Sequence, residues 1–261
     1  MTAGPLEGRG AVVTGGGRGI GAAIARALAD AGASVVVAAR TSGEIERVAA
    51  ELRDRGARAG AVACDVADEA SVKRLADEAR RLVGAIDILV NNAGASAGAP
   101  LAQITLAEWT RLWDANATST FLCTREFLPA MLERRWGRVV NIASIAGLGG
   151  AKNIAHYAAA KHAVVGFTRS IACEVTGSGV TINALCPGYV DTPMTDGNVA
   201  KMQSRRGVSR EEAVAAFLAT TGQDRLIAPE EVAAGALALC RDDANDANGR
   251  AIVLGGGAYP S

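Results

Sequence analysis

The sequence predicts an α/β protein: about seven parallel strands in one doubly wound sheet, with helices on both faces. Three observations predict it. Short β-branched runs alternate with longer amphipathic stretches from end to end. The strand candidates are apolar along their whole length, as strands buried on both faces are. A glycine-rich turn falls between the first strand and the first helix.

The elements follow in order. "GAVVT" (10–14) leads into a helical pattern over "GAAIARALADAG". "SVVVAAR" (34–40) precedes "EIERVAAELRDRG", and "AGAVACDV" precedes "EASVKRLADEARRLV". "IDILVNNAG" is followed by a long helical region from about Leu106 to Arg135. "GRVVNIAS" runs into a helix carrying Tyr157, and "GVTINALCPG" follows it. "PEEVAAGALALC" and "RAIVLGGG" form the last unit. Strand–helix alternation of this kind implies right-handed parallel crossovers. Residues 193–225 break the pattern: no strand appears and the composition turns polar and charged. A long insertion after a strand's C-terminal end covers the ligand crevice, so 193–225 reads as a helical lid within one domain spanning 1–261.

Bulk properties exclude several classes. The 27 basic and 27 acidic side chains cancel and form no block, which argues against nucleic-acid or membrane-surface partners. No apolar run is long enough to span a bilayer. "MTAGPLEGRGAVVTGGG" lacks the pattern of a signal peptide, so a cytoplasmic location is expected. The five cysteines, Cys64, Cys123, Cys173, Cys186 and Cys240, include no CxxC pair; reduced, mostly buried thiols are expected, with no metal.

The turn "VVTGGGRGIG" sits where a phosphate-binding loop must sit. Gly15, Gly19 and Gly21 permit a tight turn, close approach to a pyrophosphate and close helix packing; Gly17, Arg18 and Ile20 complete the loop. At the end of strand two an acid would favour NAD, but Ala39 is followed by Arg40, Thr41 and Ser42. A guanidinium with neighbouring hydroxyls suits a 2′-phosphate, and Arg18 can reach the same place, so NADP is preferred over NAD. The plainer alternative has Arg40 ending a strand and facing water. Asp65, followed by Val66, could accept from an adenine amino group or cap the next helix. Asn92, Ala93 and Gly94 end strand four, where small residues let backbone approach a cofactor.

Tyr157 and Lys161 are four residues apart in a helical run and share one face. A free tyrosine, with a pKa of about 10, is a poor acid or base at neutral pH. A neighbouring ammonium favours the phenolate. Ser144 ends strand five, at the edge where such sheets build active sites, and its hydroxyl can hold a carbonyl.

Together "TGGGRGIG", "NNAG", Ser144…Tyr157-x-x-x-Lys161 and "CPGYVDTPM" (186–194) resemble the short-chain dehydrogenase/reductase family, over essentially the whole chain. The resemblance implies a single Rossmann-type domain with Tyr157 as proton donor or acceptor and Ser144 as carbonyl orienter. It makes Lys161 both pKa modifier and ribose ligand. Asn116, in "DANATST", corresponds to a fourth catalytic residue that holds a water linking Lys161 to solvent. Pro187, Gly188, Val190 and Thr192 match a segment that contacts the nicotinamide carboxamide. A homotetramer is implied as well.

The lid resembles those of aromatic polyketide ketoreductases and 3-hydroxybutyrate dehydrogenases. At the places where the latter grip a carboxylate this chain has Ser96, Ile154 and Tyr189, which discounts free 3-hydroxybutyrate. Arg205 and Arg206 suit the phosphates of a coenzyme A or phosphopantetheine arm. Arg134, Arg135 and Arg138 form a second basic cluster, matching carrier-protein docking arginines, although Cys173 replaces a further one. The expectation is an NADP(H)-dependent reductase of a ketone, a 3-oxoacyl thioester or a polyketide-like ketone. Its rivals are an NAD-dependent secondary-alcohol or 3-hydroxyacyl-CoA dehydrogenase and a non-catalytic nucleotide-sensing protein.

Overall fold

A computed structural model describes residues 4–255 and 257–259; the ends of the 1–261 unit lie outside the described residues. Seven strands alternate with helices along the chain: β1 (Gly10–Thr14), α1 (Gly19–Asp30), β2 (Ser34–Ala39), α2 (Ser42–Asp54), β3 (Ala59–Ala63), α3 (Glu69–Val83) and β4 (Ile88–Asn91). Then come α4 (Leu106–Trp113), α5 (Ser119–Arg134), β5 (Gly137–Ile142), α6 (Ala155–Val175), β6 (Val180–Pro187), α7 (Pro193–Arg206), α8 (Arg210–Ala219), α9 (Pro229–Cys240) and β7 (Ala251–Leu254). All pairings are parallel and the order is β3-β2-β1-β4-β5-β6-β7. This is the expected doubly wound sheet. Its order reverses between β1 and β4, the switch point at which such sheets bind ligands.

Alternation along each strand sends side chains to opposite faces. Val13, Val35 and Val37 pack on one face with Ile24 and Leu28 of α1, Ile45 and Leu52 of α2, and Val232 of α9. Val12, Val36 and Leu89 pack on the other with Leu75 of α3, Phe127 and Met131 of α5, and Val175 of α6. The inner strands β1, β2, β4, β5 and β6 are thus covered twice, which is why they read as continuous apolar runs, while the edge strands β3 and β7 stay partly exposed.

The expected long helix over 106–135 is interrupted. Asp114–Thr118 forms a π turn between α4 and α5, one residue wider than an α turn. The 193–225 segment folds into α7 and α8, separated by Gly207 in left-handed backbone (φ +66°).

Candidate active site

Between β1 and α1, Gly15 (φ +63°) and Gly19 (φ +51°) hold left-handed backbone that side chains disfavour. A Cβ on Gly15 would lie 2.8 Å from the Asn92 amide nitrogen, and one on Gly17 would lie 2.8 Å from the Glu44 Cβ. Arg18 is the N-cap of α1, supplies no side-chain cap, and the first turn carries no acid. The orphan N–H groups and the positive end of the helix dipole remain available to an anion. Bare backbone, an uncapped helix start and no carboxylate in its first turn fit a pyrophosphate, so the loop suits a dinucleotide.

The turn is sewn to β4. The buried Thr14 hydroxyl donates to the Val90 carbonyl (3.3 Å) and accepts from the N–H groups of Asn92 and Ala93, both at 3.1 Å. The Asn92 amide donates to the carbonyls of Thr14 (3.0 Å) and Gly15 (3.1 Å). Asn92 is therefore a strut of the glycine turn as well as its neighbour, and Gly21 packs against it. Thr14 was invisible as a site residue by sequence reading; its position as the last residue before the glycines is the one signal. Asn91 points the other way, donating to Thr124 (3.0 Å) and to Asn141 (2.9 Å) in the core.

Arg40 and Thr41 are exposed beyond β2, and Thr41 N-caps α2 without a side-chain bond. Arg18 is held by Glu44 in a 3.2 Å ion pair along the same rim. Asp65 is exposed and its carboxylate accepts from the Ala67 N–H (3.1 Å). The cap of α3 is Asp68, which accepts from the Ser71 N–H (2.9 Å), so capping does not occupy Asp65. Val66 packs against the α3 side of the sheet.

Across the switch point one cavity of about 1020 Å³ brings together Ile20, Asn92, Gly94, Asn116, Ser144, Tyr157, Lys161, Pro187, Gly188, Val190 and Thr192. Arg40, Thr41, Asp65 and Val66 lie outside it, along the C-terminal ends of β2 and β3. The π turn holds Asn116 in its bend. This buried amide donates to the carbonyls of Ala95 (2.9 Å) and Leu112 (2.8 Å). A Cβ on Gly94 would lie 2.6 Å from Asn116 Oδ1 and 3.6 Å from Lys161 Nζ, so glycine keeps open the space those two groups share.

Lys161 is buried and donates to the Ile142 carbonyl (2.9 Å); its ammonium lies 5.9 Å from the centre of the Tyr157 ring. Burial pushes the lysine down to about 8. The Tyr157 phenol is pushed up by burial, and the Ser144 hydroxyl acts in the opposite sense. The expected lowering by the ammonium is not seen, because burial dominates at the phenol. The Ser144 hydroxyl also accepts from the Ala146 N–H (3.1 Å), which fixes its orientation at the end of β5.

Ser96, Ile154, Tyr189, Arg205 and Arg206 line the same cavity. The second basic cluster does not form. Arg138 is fully buried, donating to the carbonyls of Gly137 (2.9 Å) and Gly179 (3.2 Å) and to Asn245 (2.7 Å). Arg134, though exposed, is engaged by Asp87 (3.4 Å) and the Ile86 carbonyl (2.6 Å), and Arg135 is exposed beside it. A strand-start arginine looks superficial in sequence, and only the packing of the 241–245 segment over it shows otherwise. His156 is buried outside the cavity. Among the described residues no group of His, Cys, Asp and Glu has the makings of a metal site.

A glycine turn that fits a dinucleotide, a tyrosine–lysine pair and a serine at one switch point are the arrangement of a nucleotide-dependent oxidoreductase. Residues 9–203 match the short chain dehydrogenase family, and the chain belongs to that family. It is 35% identical to the 3-oxoacyl-(acyl-carrier-protein) reductase FabG of Aquifex aeolicus, over 97% of this chain and 98% of that one. It is 40% identical to the cis-4-hydroxycyclohexanecarboxylate dehydrogenase of Sinomonas cyclohexanicum, over 95% of both. Among solved structures it is similar to a variant of actinorhodin polyketide ketoreductase with NADPH (TM-score 0.91, 36% identity, 98% of both chains).

Proposed function

We propose that this protein is an NADP(H)-dependent reductase that converts a ketone, a 3-oxoacyl thioester or a polyketide-like ketone, to the secondary alcohol. The observation that carries the reading is the convergence of Asn116, Ser144, Tyr157 and Lys161 on one cavity beside the glycine turn. The similarity to FabG and to the actinorhodin ketoreductase supports the substrate class.

Gly15 to Gly21 would hold the pyrophosphate, Arg18, Arg40 and Thr41 the 2′-phosphate, and Asp65 and Val66 the adenine. Asn92 to Gly94 would line the ribose, and Pro187, Gly188, Val190 and Thr192 the carboxamide. Bound there, the dinucleotide supplies a hydride to the carbonyl carbon. Ser144 and Tyr157 hold the carbonyl oxygen, and Tyr157 delivers its proton to it as charge develops. A phenol pushed up by burial stays protonated across the neutral range, which suits a donor. Lys161 holds the ribose and polarises the phenol, while the space over Gly94 admits the water through which the proton is replaced.

The lid is α7 and α8 within 193–225, closing over one domain. The assembly is a homotetramer: Trp109 and Trp113 stack on α4 (6.4 Å between ring centres, 11° between planes) yet stay more than a third exposed, as does Val253 on the edge strand β7. Sedimentation velocity at micromolar concentration should give about four times the 26.5 kDa chain mass. A cytoplasmic location accords with five cysteines that are all unpaired.

The test of function is consumption of NADPH and NADH with acetoacetyl-CoA. NADPH should be consumed much faster than NADH, and Tyr157→Phe should abolish turnover while still binding NADPH. Undiminished turnover in that variant would reject the assignment.

A further inference from the structure

The chain contains three tyrosines, and all three line the reaction cavity. Tyr157 belongs to the reaction; the other two meet from opposite ends of the C-terminal third. Tyr189 follows β6, and Tyr259 arrives on the tail after β7. Their hydroxyls lie 3.3 Å apart, hydrogen-bonded across 70 residues. Phe217 of α8 tilts against the Tyr189 ring at 5.3 Å, so this wall is aromatic as well as polar.

The tail is anchored where it reaches the cavity. The Ala258 N–H donates to the Thr221 carbonyl (3.0 Å). Gln223, buried, accepts from the Tyr189 N–H (2.8 Å) and from the Thr221 hydroxyl (3.0 Å). A Cβ on Gly257 would lie 2.7 Å from Gln223, and one on Gly149 would lie 3.3 Å from Tyr259, so the tail threads closely between the end of α8 and the segment after β5. Both phenols are half-buried, and hydroxyls drawn out of water are costly to leave unused. Within the pair one hydroxyl donates to the other, and the acceptor's own O–H has no partner in that pair. Among the described residues that O–H has no other partner, which makes it a donor available on the cavity wall.

We infer that Tyr259, with Tyr189, is a specificity-determining residue that binds a second oxygen of the substrate, carried on a flat ring-bearing frame away from the reacting carbonyl. The inference rests on the ketone-reductase reading. Ser144 and Tyr157 take the reacting oxygen, and the tail pair takes the other, which sets the direction in which the ring enters. The tail thereby links substrate recognition to the lid through Thr221, Gln223 and Phe217.

The test uses the full chain and a set of ketones: 2-tetralone and its 5-, 6- and 7-hydroxy derivatives, with NADPH. At least one hydroxy isomer should exceed 2-tetralone in kcat/KM by on the order of fivefold, one hydrogen bond's worth. That advantage should vanish in Tyr259→Phe, which keeps the ring and loses the hydroxyl, and in Tyr189→Phe for the same isomer. A binding readout runs in parallel: calorimetric Kd values for 2-naphthol and its dihydroxy isomers, whose best diol should bind more tightly to the wild type but not to Tyr259→Phe. The inference is overturned if no oxygenated ligand is favoured, or if the preference survives in Tyr259→Phe. If no ketone is reduced but the diol preference depends on Tyr259, the ketone-reductase reading fails and the second-oxygen site stands.

Discussion

Tyr157 and Lys161 stand a turn apart on α6, and burial moves them in opposite directions, the phenol up and the ammonium down to about 8. Reduction that depends on the protonated lysine should fall as pH rises through about 8, with no loss from phenol ionisation below that. A pH profile of kcat/KM checks this. The same shift bears on stability. Unfolded lysine titrates at about 10.4, so between about 8 and 10.4 the unfolded chain binds more protons and stability rises with pH. Below about 8 the buried ammonium costs the fold about 3 kcal/mol on that shift. Lys161→Met should therefore unfold at a higher temperature than wild type at pH 7, converge with it towards pH 10, and lack activity. At the cofactor rim, Glu44 competes for Arg18 at 3.2 Å. Glu44→Gln should tighten NADPH severalfold with little effect on NADH, and Arg40→Asp should weaken NADPH by at least about tenfold, both read by fluorescence titration. The residue types at these places stand out in sequence because the proposed chemistry calls for them. Tyr259 was not, because its partner is 70 residues away.

Among elements, the junction of α4 and α5 matters most to the site. The π turn at Asp114–Thr118 bends the helix where Asn116 bonds Ala95 and Leu112, and Gly94 faces it without a side chain. Gly94→Ala would place a methyl 2.6 Å from Asn116 Oδ1, so the turn must shift. The variant should keep its helical circular dichroism yet lose at least about tenfold in kcat, since a displacement of this size disturbs proton transfer. The strands and helices themselves were legible from period and composition. The π turn was not: it inserts one residue into a helical pattern, and the apolar spacing on either side barely changes.

For the molecule as a whole, the two ends of the sheet have different work. The carboxyl ends carry the cavity, while the amino ends are tied by Arg138, which joins the start of β5 to Gly179, Arg241 and Asn245 beneath the Trp136 ring (4.4 Å). Arg138→Met leaves those carbonyl and amide groups buried without a donor, a loss of about 3 kcal/mol. The unfolding midpoint should drop by about 5–10 °C for a chain of this size, while kcat at 25 °C stays at the wild-type value. Scanning calorimetry and initial rates together check it.

The sequence by itself determined the parallel sheet and its place for a dinucleotide, and it singled out Asn116, Ser144, Tyr157 and Lys161, which the fold gathers in one cavity. Those depend on local period, on left-handed glycine and on residue types that few alternatives can replace. Tertiary structure alone decided that Arg138 is a buried tie, that Asn92 and Thr14 brace the glycine turn, and that Tyr259 meets Tyr189 on the cavity wall. Each of these is a contact between segments remote in the chain, and partners brought together by packing leave no periodic trace in the residues between them.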